Sequence, residues 1–320
     1  MSFNKDILQI DCTAEIDRIC DFIRQQVAAV KRDGIVIGHS GGIDSAICAE
    51  LCVRAIGKDR VLALVLPEKE SNPAAAEYAT KHIQKMGLNY KTIDITGTLE
   101  GFGTYEKRDK VIRAIFPDLS NEFKCKIVMP SDLLSKDTYS FFTLKVEDSN
   151  GTVRSARLNN QDMRGIIAAA NTKQRTRMLH LYYYCEMSNY LVCGTTNRTE
   201  EVQGFYVKFG DGGVDIEPIA HLYKTQVFQL ADHLGVIDEI IKRAPSPDTF
   251  SSLVTDEEMY FRIPFNTLDL LLYAWENNIQ QKTVMEVMDL TEEQVARAFR
   301  DFGLKYASTK HLRELPPTLE

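Results

Sequence analysis

At 320 residues the chain can bury a sizeable core, as one large α/β domain or two small ones. Hydrophobic residues make up 44% and charged residues 26%, an ordinary globular balance, and the formal net charge of -7 argues against a broad nucleic-acid footprint, which needs clustered Lys and Arg. No run of about 18 apolar residues marks a membrane span, and Met1-Ser2-Phe3-Asn4-Lys5-Asp6 lacks the apolar stretch of a signal peptide.

Seven cysteines without a CxxC pair, and six histidines without zinc spacing to them, fit a reducing cytoplasm. The spacing of Ile16, Ile19, Cys20, Ile23, Val27 and Val30 predicts a helix from about Thr13 to Arg32, with Thr13 as cap and Glu15 and Asp17 in its first turn. Gly34 ends it, and Ile35-Val36-Ile37-Gly38 reads as a short buried strand. Helix Asp44–Ile56 stops at Gly57, strand Val61–Leu66 stops at Pro67, a helix opens at Pro73 and runs to Met86, and Tyr90–Ile95 is a third strand. Cys48 and Cys52, four apart on one helix, read as buried apolar positions. Strands apolar on both faces, alternating with helices, predict a doubly wound parallel α/β sheet.

From about Thr104 to Asn160 the rhythm breaks. Thr138–Val146 and Thr152–Leu158 flank Asn150-Gly151, which predicts an inserted β-hairpin too short to carry a core. A long helix from about Gln161 to Ser188 and the strand Tyr190–Cys193 follow. Asp256 to Ser308 reads as small helices, one opened by a capping box from Thr291 to Gln294. The expected organisation is a single domain over 1–320 with an insertion at about 104–160.

The loop Ser40-Gly41-Gly42-Ile43-Asp44-Ser45 lies directly after a strand and before a helix. Amides at a helix N-terminus have no internal partners and bind anions. Gly41 and Gly42 let the backbone close around phosphate oxygens, and the Ser40 and Ser45 hydroxyls add donors. Asp44 would repel phosphate unless a divalent cation lies between them, and Mg²⁺ suits oxygen ligands. The pattern is neither GxxxxGK[ST] nor GxGxxG.

SGGIDS after a buried strand resembles the PP-loop of the N-type ATP pyrophosphatases. Asn171-Thr-Lys-Gln-Arg-Thr-Arg-Met178, Gly194-Thr195, Glu200, Lys208-Phe-Gly-Asp-Gly-Gly-Val-Asp215 and Leu222-Tyr-Lys-Thr-Gln226 resemble, in order, the motifs of ammonia-dependent NAD synthetases. The likeness runs from about Thr13 to Pro317, less the insertion. It implies ATP as co-substrate held by Ser40, Gly41, Gly42, Asp44, Ser45, Leu66, Thr195, Lys224 and Ser246, and Mg²⁺ held by Asp44 and Glu200. Asp44 and Lys224 would act in catalysis. Asn171, Arg175, Lys208, Asp211, Asp215 and His311 would face deamido-NAD. Read without the resemblance, Glu200 is a surface helix residue, Asn171 and Arg175 are equally solvated helix positions, and Lys208, Asp211 and Asp215 equally a solvated turn.

The resemblance further implies amide formation in two steps. The substrate carboxylate attacks the α-phosphate of ATP, and ammonia then displaces AMP. With no N-terminal catalytic cysteine and no room for a glutaminase domain, free ammonia or a separate subunit would supply nitrogen. A homodimer is implied, with the long helix as interface or core, and no nucleic-acid or membrane partner is expected. Three departures fall on the acceptor side: Leu312 in His311-Leu312-Arg313 where the family has lysine, the segment Ile167-Ala-Ala-Ala170 where an aromatic residue and a glycine are common, and the insertion. They keep a related ligase for another carboxylate open, as well as a catalytically silent nucleotide-binding regulator.

Overall fold

Capping chemistry sets where the elements begin. The computed structural model describes residues 2–120, 122–130, 132–135 and 141–319. Helix α1 (Cys12–Ala29) is capped by Asp11 and not by Thr13, since the Asp11 carboxylate accepts from the amides of Thr13 and Ala14. Strand β1 (Gly34–Gly38), α2 (Ile43–Ile56), β2 (Val61–Val65), α3 (Pro73–Met86) and β3 (Asn89–Thr92) follow in the expected alternation. Asn72 caps α3, and Pro73 takes its first position, where a missing N–H costs nothing. Helices α4 (Thr96–Phe102) and α5 (Thr104–Ile115) lead into β4 (Phe123–Val128), β5 (Thr143–Asp148) and β6 (Val153–Arg157). The 29-residue α6 (Asn160–Ser188) then returns the chain to the first sheet at β7 (Tyr190–Cys193). The remainder is helical: α7 (Arg198–Gln203), α8 (Lys224–Leu234), α9 (Asp238–Ile241), α10 (Phe265–Glu276), α11 (Gln281–Met288), α12 (Glu292–Ser308) and α13 (Lys310–Arg313). The expected capping box opens α12.

Four parallel strands lie in the order β3-β2-β1-β7, with Ile35 in register with both Val61 and Leu191. Alternate side chains feed opposite layers. Ile35, Ile37, Val61, Ala63 and Leu191 join a core with α1, α2 and α8. Val36, Leu64 and Val192 meet Met178, Leu181 and Cys185 of α6 on the other face. Both faces are therefore covered, as a doubly wound sheet requires. Strand β3 departs from the expected pattern. Asn89 to Thr92 are exposed, because this is the sheet's edge and no strand pairs beyond it among the described residues. Cys48 and Cys52 are buried, as their spacing predicts.

The segment around Asn150-Gly151 is a hairpin, β5 with β6, but β4 adds a third antiparallel strand. Thr138 to Ser140 of the expected strand lie outside the described residues. This region does carry a core, contrary to expectation. Cys125, Ile127, Leu144 and Val146 pack with Ile112 of α5, Ile166 and Ala170 of α6, and Phe250 and Val254. The area that a lone hairpin lacks comes from helices on either side of it in sequence. A further cluster joins Phe261, Leu268, Leu272, Val284, Val295 and Phe302 to Phe3 and Leu8. No described helix is long and apolar enough to cross a membrane.

Candidate active site

The glycine-serine loop leaves the carboxyl end of β1, where open α/β sheets place their ligands. Gly42 is the N-cap of α2 and no side chain caps this helix, so the amides of its first turn remain available to an anion. Gly41 has φ of 74°, and a Cβ there would come within 2.1 Å of the Ala75 carbonyl oxygen. Only glycine meets both conditions. The rest of the loop holds itself. The Ser40 amide donates to Ser45 Oγ at 3.2 Å, the Gly42 amide donates to Ser40 Oγ at 3.2 Å, and Ser45 Oγ donates to the Gly42 carbonyl at 2.9 Å. The two serines thus shape the loop as well as offering hydroxyls to a ligand.

Asp44, in the first turn of α2, meets two partners from distant parts of the chain. Lys224 Nζ lies 2.6 Å from Asp44 Oδ2, and Asn197 Nδ2 donates to Asp44 Oδ1 at 2.9 Å. Asn197 also caps α7, with Glu200 as the reciprocal member of that capping box. This places Glu200 Oε1 at 3.3 Å from the same ammonium. Lys224 opens α8, only 1% exposed. Burial alone would lower its pKa, but Asp44, Glu200 and Asp256 outweigh that and raise it. Burial drives Glu200 upward, with Lys224 opposing.

Asp256, absent from the sequence-based site, is buried beside this group. Desolvation pushes it up to about 7, and its Oδ1 has no hydrogen-bond partner among the described residues. An orphaned carboxylate oxygen next to two further carboxylates is an all-oxygen donor set that suits Mg²⁺. No three His, Cys, Asp or Glu side chains among the described residues converge tightly enough to hold an ion unaided. Phosphate oxygens and water would have to complete the coordination.

A cleft of about 810 Å³ runs from this loop across the end of the sheet to α13. Ser40, Gly42, Asp44, Ser45, Leu66, Thr195, Glu200, Lys224 and Ser246 line it, as do Asn171, Arg175, Lys208, Asp211 and His311. Two expected residues are not on its walls. Gly41 is turned inward, and Asp215 accepts from the Val192 amide at 2.7 Å and from the Tyr182 hydroxyl at 3.1 Å, tying β7 down outside the cleft. Asp211, by contrast, is half-buried on the cleft wall, accepts from the Val207 amide at 2.8 Å, and is pushed up to about 6 by desolvation. Arg175 Nε donates to the Lys208 carbonyl at 3.2 Å, and Lys208 Nζ donates to the His311 carbonyl at 2.6 Å. Those bonds join α6, the glycine-rich turn and α13 into one wall, which Leu312, Ile167 and Phe142 make partly apolar.

Several contributors carry no mark in the sequence. Arg177 Nε donates to the Leu66 carbonyl at 3.2 Å. Arg243 Nη1 reaches the Gly41 carbonyl at 3.5 Å, and no carboxylate pairs with it among the described residues. Glu217 accepts from the Thr196 amide at 3.1 Å, and a Cβ on Gly194 would come within 2.4 Å of its carboxylate. Lys173, buried on α6, pairs with Glu68 at 2.7 Å and Glu70 at 2.8 Å, and Arg108 forks onto Glu70. This network fixes α6 against α5 and the loop after β2.

The NAD synthase family profile matches residues 15–130 and 131–316, nearly the whole chain. The chain belongs to the NAD synthase family. A relative named NH(3)-dependent NAD(+) synthetase, from Mesorhizobium japonicum, is 40% identical over 311 residues, 97% of each chain. The two chains thus match over nearly their whole lengths. An NH3-dependent NAD synthetase structure from Campylobacter jejuni superposes with TM-score 0.65 at 25% identity, covering 98% of this chain and 100% of that one. The NMN synthetase structure from Francisella tularensis, at 22% identity and TM-score 0.67 over 97% and 99% of the chains, shares the fold.

Proposed function

We propose that this NAD synthase joins ammonia to the carboxylate of deamido-NAD while converting ATP to AMP and pyrophosphate. One observation carries the reading: an uncapped helix N-terminus, two carboxylates and a buried lysine meet in one cleft at the carboxyl end of a parallel sheet. A carboxylate has no leaving group that ammonia can displace. Attack of its oxygen on the α-phosphorus expels pyrophosphate and leaves an acyl-adenylate. Ammonia then adds to the acyl carbon, AMP departs, and a proton is lost from nitrogen.

The protein's part is to neutralise phosphate charge and align the attack. The first amides of α2 face the phosphates, and Leu66, Thr195 and Ser246 line the nucleotide end. Arg243, with no carboxylate partner among the described residues, supplies a cation beside the loop. Asp44 and Glu200 would hold Mg²⁺, which would supply positive charge against that of the phosphates. Lys224 keeps those two carboxylates together and adds its own charge. Asn171, Arg175, Lys208, Asp211 and His311 form the acceptor end, and Asp215 acts at one remove by fixing β7.

Leu179, Tyr183 and Met187 recur every fourth residue on α6 and are 64%, 57% and 66% exposed. An apolar stripe at helical spacing supports burial against a second copy, giving a homodimer. Seven free thiols are in keeping with the cytoplasm. Leu312 on the cleft wall favours one rival, a ligase for a different carboxylate, because it offers no charge to a substrate phosphate. Pyrophosphate release assayed with ATP, Mg²⁺ and ammonium separates the readings. Release that depends on deamido-NAD and is not sustained by glutamine supports the proposal. Release only with another acid identifies the rival, and none with any acid leaves a nucleotide-binding regulator.

A further inference from the structure

His39 joins β1 to the phosphate loop and is almost fully buried, as is His82 of α3. Their hydrogen bonds fix both tautomers. The Gly41 amide donates to His39 Nδ1 at 3.2 Å, so that nitrogen keeps its lone pair and the ring proton is on Nε2. His39 Nε2 lies 3.0 Å from His82 Nδ1, which must accept, leaving the His82 proton on Nε2. His82 Nε2 is in turn 3.3 Å from Glu50 Oε1 of α2, off the line of a hydrogen bond but near enough to feel its charge. The two hydrogen bonds, from Gly41 to His39 and from His39 to His82, run the same way, toward Glu50. Burial, with His82 alongside, holds His39 down to about 3, so Nδ1 remains an acceptor throughout the neutral range.

The other side of Gly41 presses on the Ala75 carbonyl in the first turn of α3. The helix thus grips the loop twice, directly through Ala75 and through His82 by way of His39. Without an acceptor at position 39 the inward Gly41 amide would be buried and unsatisfied, and rotation of that peptide would re-aim the amides that follow. We propose that His39 is a positioning residue for ATP, and that the His39–His82–Glu50 relay holds Gly41 inward so that the first amides of α2 face the phosphates, a role that rests on reading this loop as the ATP site.

The test compares His39→Leu with His39→Asn. Asparagine can accept from the amide two residues on, as in an Asx-turn, whereas leucine cannot. Loss of one such bond predicts that His39→Leu weakens Mg-ATP binding about tenfold by calorimetry without acceptor, with a matching rise in KM for ATP. Its kcat at saturating ATP and its KM for ammonium stay within about twofold of wild type, and His39→Asn recovers most of the affinity. A ring ¹⁵N spectrum of the wild-type protein should show both histidines protonated at Nε2. If wild type binds no ATP, the reading of the loop itself fails. If wild type binds and His39→Leu binds equally well, the relay alone fails. It fails too if His39→Asn is as weak as His39→Leu, or if His39 carries its proton on Nδ1, a result that needs no variant to fold.

Discussion

Replacing Lys224 by methionine should make the protein depend on magnesium for stability. In the native cluster the ammonium lies 2.6 Å from Asp44 and 3.3 Å from Glu200. At an effective dielectric of about 20 these contacts are worth roughly 6 and 5 kcal/mol before desolvation, which removes several kcal/mol for so buried a lysine. Methionine fills the same volume but leaves two carboxylates facing each other, with Asp256 behind them. Breaking a buried ion pair from one side costs about 3–5 kcal/mol, which for a chain of this size lowers Tm by about 4–7 °C. A divalent cation restores the missing positive charge. Thermal melts of wild type and Lys224→Met, each with EDTA and with millimolar Mg²⁺, measure this. Wild type should gain little from Mg²⁺ alone, and the variant should regain at least about half of its loss. If Lys224→Met melts with wild type in EDTA, or if Mg²⁺ stabilises both equally, then this lysine does not balance those carboxylates and the proposed cation site is wrong.

Arg243→Gln should lower kcat/KM for ATP by about 10–100-fold, the value of one charge-assisted contact to phosphate, in a steady-state pyrophosphate assay; an unchanged value would remove Arg243 from the nucleotide. Glu217 bears on pH. Burial lifts it from an ordinary 4.5 to about 8, so between those values the folded protein holds a proton that the unfolded chain has released, and stability falls as pH rises from 4.5 to 8. Glu217→Gln keeps an acceptor for the Thr196 amide and should flatten that limb, giving urea-unfolding stability up to about 4 kcal/mol above wild type at pH 8 and near parity at pH 4.5. Leu179→Glu should shift the species seen by light scattering from dimer to monomer, and a dimer that persists would place the interface elsewhere.

The phosphate loop was legible because its parts are consecutive: strand, two glycines, an acid, helix. The parallel sheet was legible because Ile35, Val36 and Ile37, or Val61 to Val65, are apolar without a break. Asn197, Arg243 and Asp256 were not legible, since each is an ordinary polar residue until folding brings it to Asp44 or Gly41 from more than a hundred positions away. Asp215 misled for the complementary reason. It lies in the same glycine-rich turn as Asp211, yet a difference of four residues turns it to β7 while Asp211 faces the cleft. Strand β4 did leave a trace. Cys125 and Ile127 are buried while Lys124 and Lys126 are less so, an alternation that buried Val128 interrupts and that is hard to read without its partner β5. A hairpin turn such as Asn150-Gly151 announces two strands and says nothing of a third.

The small antiparallel sheet shares its core with the long helix that also presents Asn171 and Arg175 to the cleft. Trimming residues 104–160 to make a leaner enzyme would therefore strip Ile166 and Ala170 of their cover and leave a greasy strip beside the catalytic wall. Such a shortened protein would clump before its chemistry could be measured.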